Sequence, residues 1–194
     1  QFIGMDHFAL EDDEPAVAQR EGRLHRNFMG YTTDRGLDVI GLGMSAISDV
    51  DGVFAQNRSK LATYFRGIRG EETRLEKGYA RTAEDKLRSD VIADLMCNFH
   101  VSKTVISARH QVDFDTHFSE ALSRLRPAVD EGFIQDEPDR LHVTPPRPAP
   151  AQSFFVRYTC FLGAGGGGEM KIKMGCMCFL QSQVTVSFSE RSIS

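Results

Sequence analysis

The sequence predicts an α/β chain: a strand-bearing front part, a small helical, winged-helix-like domain behind it, and an irregular tail. Three observations carry this reading. Short apolar runs bounded by turn residues, Phe2-Ile3-Gly4-Met5 and Val39-Ile40-Gly41-Leu42-Gly43-Met44, read as buried strands. Apolar residues then recur at helical spacing (Leu87, Val91, Leu95, Phe99; later Phe114, Phe118, Leu122, Leu125, Val129), and a strand pair follows them. From Pro145 onward, clustered proline and then glycine end the periodicity. The expected boundaries are 1–70 for the front part, 71–81 for a linker, 82–144 for the helical domain and 145–194 for the tail.

Taken in order, the first strand ends at Asp6-His7-Phe8. Ligands collect at the C-terminal ends of strands in a parallel sheet, so Asp6 and His7 are candidates to face a site, with a strand end satisfied by neighbouring backbone as the plainer reading. The acidic run Glu11-Asp12-Asp13-Glu14 and Pro15 mark a helix start, with the helix over 16–21 stopped by Gly22. Arg20, Arg23, His25 and Arg26 form a small basic cluster. In the run around Gly41 and Gly43, glycine inside a strand indicates a backbone approached closely by another backbone or by a ligand.

Residues 60–70 form a short amphipathic helix with Leu61, Tyr64, Phe65 and Ile68 on one side. The polar stretch 71–81 reads as loop. Helix 82–99 has Thr82 as N-cap and Glu84 and Asp85 in its first turn. Cys97 sits beside its apolar face as a small buried hydrophobe. Ser102 caps a shorter helix over 103–110, and Asp113 precedes a third helix stopped by Gly132. Phe133-Ile134-Gln135 and Leu141-His142-Val143 make a hairpin.

Three helices and a hairpin are the parts of a winged helix, which raises DNA binding. The third helix carries Asp113, Asp115, Glu120, Asp130 and Glu131 against Arg124 and Arg126, the wrong balance for neutralising phosphates. The net charge of the chain is −4, in the same direction. No nucleic-acid partner is expected. No apolar run reaches the roughly 18 to 20 residues that span a bilayer, so no membrane partner is expected either. Four unevenly placed cysteines (Cys97, Cys160, Cys176, Cys178) make no disulfide framework, and with no signal segment the expected compartment is the cytoplasm. Cys176-Met177-Cys178 lacks the further ligands of a metal site. The chain begins at Gln1 without an initiator Met, as though cut from something longer.

The strings Asn27-Phe28-x-Gly30-Tyr31-Thr32-Thr33, Ile40-Gly41-x-Gly43-x-Ser45-Ala46-Ile47-Ser48 and Ala55-Gln56-Asn57 resemble the C-terminal third of oxygen-independent coproporphyrinogen III oxidase. FIGMDHFA near the start and AVAQREGRLHRNF after it extend the resemblance, which runs to about Thr144. It implies the end of a partial TIM-like radical S-adenosylmethionine barrel, with the helical domain covering its open side. It also implies S-adenosyl-L-methionine and a [4Fe-4S] cluster as cofactors. Coproporphyrinogen III is the implied substrate, with an electron donor for the cluster and a monomeric protein.

On the same ground Ile47 and Phe28 match positions lining a cofactor site. Met29 stands where the family has glutamine, and methionine cannot pair as an amide does. Tyr31, Thr32 and Thr33 offer hydroxyls to substrate or simply make a turn. The arginines of the basic cluster would suit a substrate carrying four carboxylates. The three-cysteine spacing that holds such a cluster is absent, so this chain alone is expected to be inactive and to contribute no catalytic group and no metal ligand. The implied reaction of the parent is oxidative decarboxylation of coproporphyrinogen III to protoporphyrinogen IX. Two rival readings are a non-catalytic haem- or porphyrin-binding relative and a stand-alone helical interaction module.

Overall fold

The computed structural model describes residues 1–4, 7–27 and 29–144. The expectations placed on Asp6, Phe28, Cys160, Cys176, Cys178 and the proline- and glycine-rich tail lie outside these. The chain divides into two units. One is Gln1–Arg35 with the described residues from Leu87 onward, and the other is Gly36–Lys86.

The first unit opens with β1 (Phe2–Gly4) and β2 (His7–Phe8), an antiparallel pair with Phe2 opposite Phe8. Helix α1 (Glu14–Arg20) follows, with Pro15 in the first turn, where no backbone donor is needed. Strands β3 (His25–Asn27) and β4 (Gly30–Thr32) pair antiparallel, placing Arg26 opposite Tyr31. His7 is therefore not at the end of a parallel strand. It lies exposed in antiparallel β2, with its ring edge-on to Tyr31 at 5.2 Å. Every strand pair among the described residues is antiparallel, so the parallel order expected of a barrel is not formed within them.

The second unit holds β5 (Ile47–Val50), β6 (Val53–Asn57), helix α2 (Leu61–Ile68) and β7 (Leu75–Ala80), with the strands in the order β5-β6-β7. Asp51 and Gly52, both at positive φ, make the tight turn between β5 and β6, the backbone such a two-residue hairpin requires. Two expectations fail here. Residues 39–44 are not a buried strand: Val39 makes one bridge to Asp49, while Ile40 and Leu42 are 72% and 86% exposed. The glycines are the reason, because Gly41 turns its bare backbone inward and sends its apolar neighbours out. The stretch read as a linker contains β7, which exists because β6 offers it a backbone ladder and not because its side chains are apolar. Helix α2 forms as expected and buries no residue.

Helix α3 (Ala83–Asn98) starts on a reciprocal cap. Thr82 Oγ1 accepts from the Asp85 N–H at 3.2 Å, and Asp85 Oδ2 accepts from the Thr82 N–H at 2.8 Å. The boundary between the units falls within this helix, before Leu87. Beyond it come β8 (His100–Ser102), α4 (Lys103–His110), α5 (Phe114–His117), α6 (Ser119–Asp130), β9 (Ile134–Asp136) and β10 (Arg140–Val143).

Ser102 and Asp113 cap α4 and α5 as expected. The expected third helix is broken at Phe118 into α5 and α6, which leaves the Phe114 and Phe118 rings 4.8 Å apart in the core. The hairpin is present, and β8 joins the far side of β10 to give the order β8-β10-β9. One core runs through Leu87, Val91, Leu95, Ile106, Phe118 and Leu141.

A second core joins Ile3, Ala16, Ala18, Leu24 and Cys97. Buried amides stitch it together. The Gln19 side chain donates to the carbonyls of Ile3 (2.6 Å) and Cys97 (2.9 Å), and the Asn98 amide exchanges hydrogen bonds with the Leu24 backbone at 3.1 Å each.

Candidate functional site

Ile47 opens β5 and pairs with Gln56 of β6, half-buried. Ahead of it the chain folds back on itself. A Cβ added to Gly41 would stand 2.6 Å from the Ile47 carbonyl oxygen and 2.8 Å from its carbonyl carbon, so only glycine admits this approach. The close backbone contact read from the sequence is therefore real, and the backbone approached is that of Ile47.

The segment between is held by its polar atoms. The Asn57 side-chain amide donates to the Gly41 carbonyl at 3.2 Å and to the Gly43 carbonyl at 2.8 Å, and the Asn57 N–H donates to the Ala46 carbonyl at 2.9 Å. Gln56 Nε2 donates to the Ser45 carbonyl, the Ser45 N–H to the Arg58 carbonyl, and the Gly41 N–H to Ser48 Oγ. Gly43 at φ +101 and Ser45 at φ 60 supply the left-handed backbone that closes the loop. Below it, Arg81 pairs with Asp49 at 2.7 Å; burial raises the pKa of Asp49 above the usual carboxylate value, partly offset by that guanidinium.

Phe28 lies outside the described residues. Next to it, Met29 is exposed and its N–H donates to Asn27 Oδ1. Thr32 Oγ1 accepts from the Asp34 N–H, a turn-making contact, whereas Thr33 Oγ1 donates to Glu14 of α1. In the basic cluster, Arg20 is bound to Gln1 and Arg23 to Glu21. Arg26 stacks over the Tyr31 ring at 4.9 Å, and its buried Nη1 has no acceptor.

Sequence reasoning missed Asn57, which read as the end of a motif. It also missed an acidic pair on α3, Asp90 and Asp94, both in contact with Arg35. The missed signal for Asn57 was an amide residue ending a strand that follows a glycine-rich loop. The donor set does not suit an iron–sulfur cluster. Cys97 is the one cysteine among the described residues, and it is fully buried against α1. The Ile47 edge does suit a nucleoside-like ligand, which takes an apolar face and backbone polar groups.

The family model described as HemN C-terminal domain matches residues 82–146. The chain is 38% identical to the oxygen-independent coproporphyrinogen III oxidase of Escherichia coli (strain K12) over 179 residues, 92% of this chain and 35% of that protein. It is 44% identical to that of Thermostichus vulcanus over 146 residues, 75% of this chain and 45% of that protein. A solved structure, described as "Coproporphyrinogen III oxidase (HemN) from Escherichia coli is a Radical SAM enzyme", superposes with a TM-score of 0.78 at 39% identity. It covers 84% of this chain and 37% of that one. The chain thus spans less than half the length of these relatives. The E. coli alignment covers too much of the chain to stop at Thr144, and so extends past the point where the resemblance was expected to end.

Proposed function

The chain is related along its described length to the C-terminal part of the oxygen-independent coproporphyrinogen III oxidases, and on that premise we propose that it serves the same reaction. That reaction is the oxidative decarboxylation of coproporphyrinogen III to protoporphyrinogen IX, a step of haem biosynthesis. The carrying observation is the Ile47 edge, where a half-buried apolar side chain opens a strand beneath a loop held by its own carbonyls. Ile47, with Phe28, would line the S-adenosyl-L-methionine site. S-adenosyl-L-methionine held there would supply the radical chemistry of the reaction, with Ile47 giving an apolar face against which to bind and orient it. The thiolates for the [4Fe-4S] cluster would come from sequence that this chain does not contain, as would the contact with an electron donor.

The front part is read as the end of a partial TIM-like barrel, and residues 82–144 as a winged-helix-like cover that helps enclose substrate. The order of the helices α3, α4, α5 and α6 and the sheet β8-β10-β9 supports the second assignment. Arg26, with a buried guanidinium nitrogen that lacks an acceptor, is the member of the basic cluster best placed to take a substrate carboxylate. A cytoplasmic, monomeric protein is part of this reading; among the described residues no helix is long and apolar enough to cross a membrane. Hydrogen bonds from Gln19 to Cys97 and between Leu24 and Asn98 count against residues 82–144 as a stand-alone module, because they tie the end of α3 to the N-terminal segment.

The test is a chimaera in which residues 1–144 replace the matching part of the E. coli enzyme. Formation of protoporphyrinogen IX, with S-adenosyl-L-methionine bound more weakly by the Ile47→Asp form, is the expected outcome. A folded, cluster-loaded chimaera whose cofactor affinity ignores Ile47→Asp would refute the site.

A further inference from the structure

Among the described residues, Asn57 is the one residue of the second unit that is buried, at 6% exposure. The fixed point of this unit is thus an amide and not an apolar core. Both side-chain N–H groups are used, on the carbonyls of Gly41 and Gly43, and the backbone N–H is used on Ala46. An aspartate in the same place has the same shape and no donor, so it would face two carbonyl oxygens with a like partial charge.

What these bonds hold is informative. Residues 40–44 place no side chain in a core; Ile40, Leu42 and Met44 all point to solvent. Holding such a loop gains nothing in packing. Its geometric effect is to press Gly41 against the Ile47 backbone and to set where β5 begins. We infer that Asn57 is the positioning residue of the cofactor edge, its buried amide fixing the carbonyls of Gly41 and Gly43 and through them the place of Ile47. This rests on the reading of Ile47 as a cofactor-lining residue.

Two measurements test it. The first is amide hydrogen exchange on this chain carrying Asn57→Ala or Asn57→Asp. The amides of Gly41 and Ser45 are expected to lose protection at least tenfold while the β6–β7 ladder stays protected. Unchanged loop amides overturn the inference, and so does loss of the ladder together with the loop, which would make Asn57 a general fold determinant. The second is the S-adenosyl-L-methionine dissociation constant of the cluster-loaded chimaera, by equilibrium dialysis, for Ile47→Ala, Asn57→Ala and the pair. If Asn57 acts through Ile47, each single change weakens binding about tenfold and the double change hardly further. Additive losses overturn the inference alone. An Ile47→Ala protein that binds as the parent does removes the cofactor reading and this inference with it.

Discussion

Asp90 and Asp94, one turn apart on α3, both contact the guanidinium of Arg35, and the fold moves their acidities in opposite directions. Burial raises both. For Asp90, hydrogen bonds from Arg109 and His110 outweigh that burial and leave its pKa below 3.8. For Asp94, Arg35 at 3.3 Å does not offset burial and the neighbouring Asp90 charge, and its pKa stays above 3.8.

The two carboxylates therefore have opposite linkage. The contribution of Asp90 is complete above pH 3.8 and is lost as pH falls through its depressed value; that of Asp94 is complete below pH 3.8 and is lost as pH rises through its raised one. At pH 7, Asp90→Asn is expected to cost about 1.5–3 kcal/mol. Asp94→Asn is expected to leave stability unchanged or raise it. Urea unfolding of both variants at pH 7 and near pH 3 checks this, with the Asp94 variant meeting the parent in acid and the Asp90 deficit shrinking as pH falls below 3.8.

Lys103 is buried at the start of α4, its ammonium 2.7 Å from Asp115 and 2.6 Å from Asp136. Burial pulls its pKa down, and the two hydrogen-bonded carboxylates more than reverse this, leaving it above 10.5. Its contribution is complete below pH 10.5 and is lost only as pH rises through the raised value. Breaking a buried ion pair from one side costs about 3–5 kcal/mol. Asp115 is more than half exposed, so water recovers part of that, and Lys103→Met is expected to cost about 1–3 kcal/mol in urea unfolding at pH 7.

Cys97 is fully enclosed by Ile3, Ala16, Ala18 and Leu24. A thiol reagent followed by peptide mass spectrometry is expected to leave Cys97 unmodified in the native chain and to modify it fully in denaturant. Modification under native conditions would mean that the N-terminal segment does not stay docked on α3.

Gly41 and Gly36 separate close approach from backbone conformation. Gly36, at φ +80 with open space around it, should accept alanine for about 1–2 kcal/mol of left-handed strain. Gly41→Ala must displace the Ile47 carbonyl, so larger amide chemical-shift changes are expected along β5. Equal perturbation by the two substitutions would contradict the geometry of the loop.

What could be read from residues alone depended on how local the cause was. Helix α3 was readable because Leu87, Val91 and Leu95 repeat every fourth position and Thr82 finds its capping partner three residues on. The same local logic found the caps Ser102 and Asp113. It failed at Ile40 and Leu42, where apolar character was taken for burial although the glycines between them decide which side faces in. It failed again at Leu75–Ala80, a strand only by virtue of the backbone of β6. The candidate site was half readable. Ile47 came from resemblance and Gly41 from its lack of a side chain, whereas Asn57 acts on carbonyls 14 and 16 positions earlier, marked in the sequence only as an amide ending a strand after a glycine-rich loop.

The amides that join Gln19 to Cys97 and Leu24 to Asn98 have a consequence for biosynthesis. They span 78 and 74 residues. A ribosome adding roughly 5–20 residues per second needs about 4–15 s to deliver the second partner after the first. For that interval Ile3, Leu24 and the small face of α1 have emerged without the surface that covers them. The N-terminal segment must wait for α3 before it can settle, and it is the stretch where a nascent-chain chaperone has most to shield.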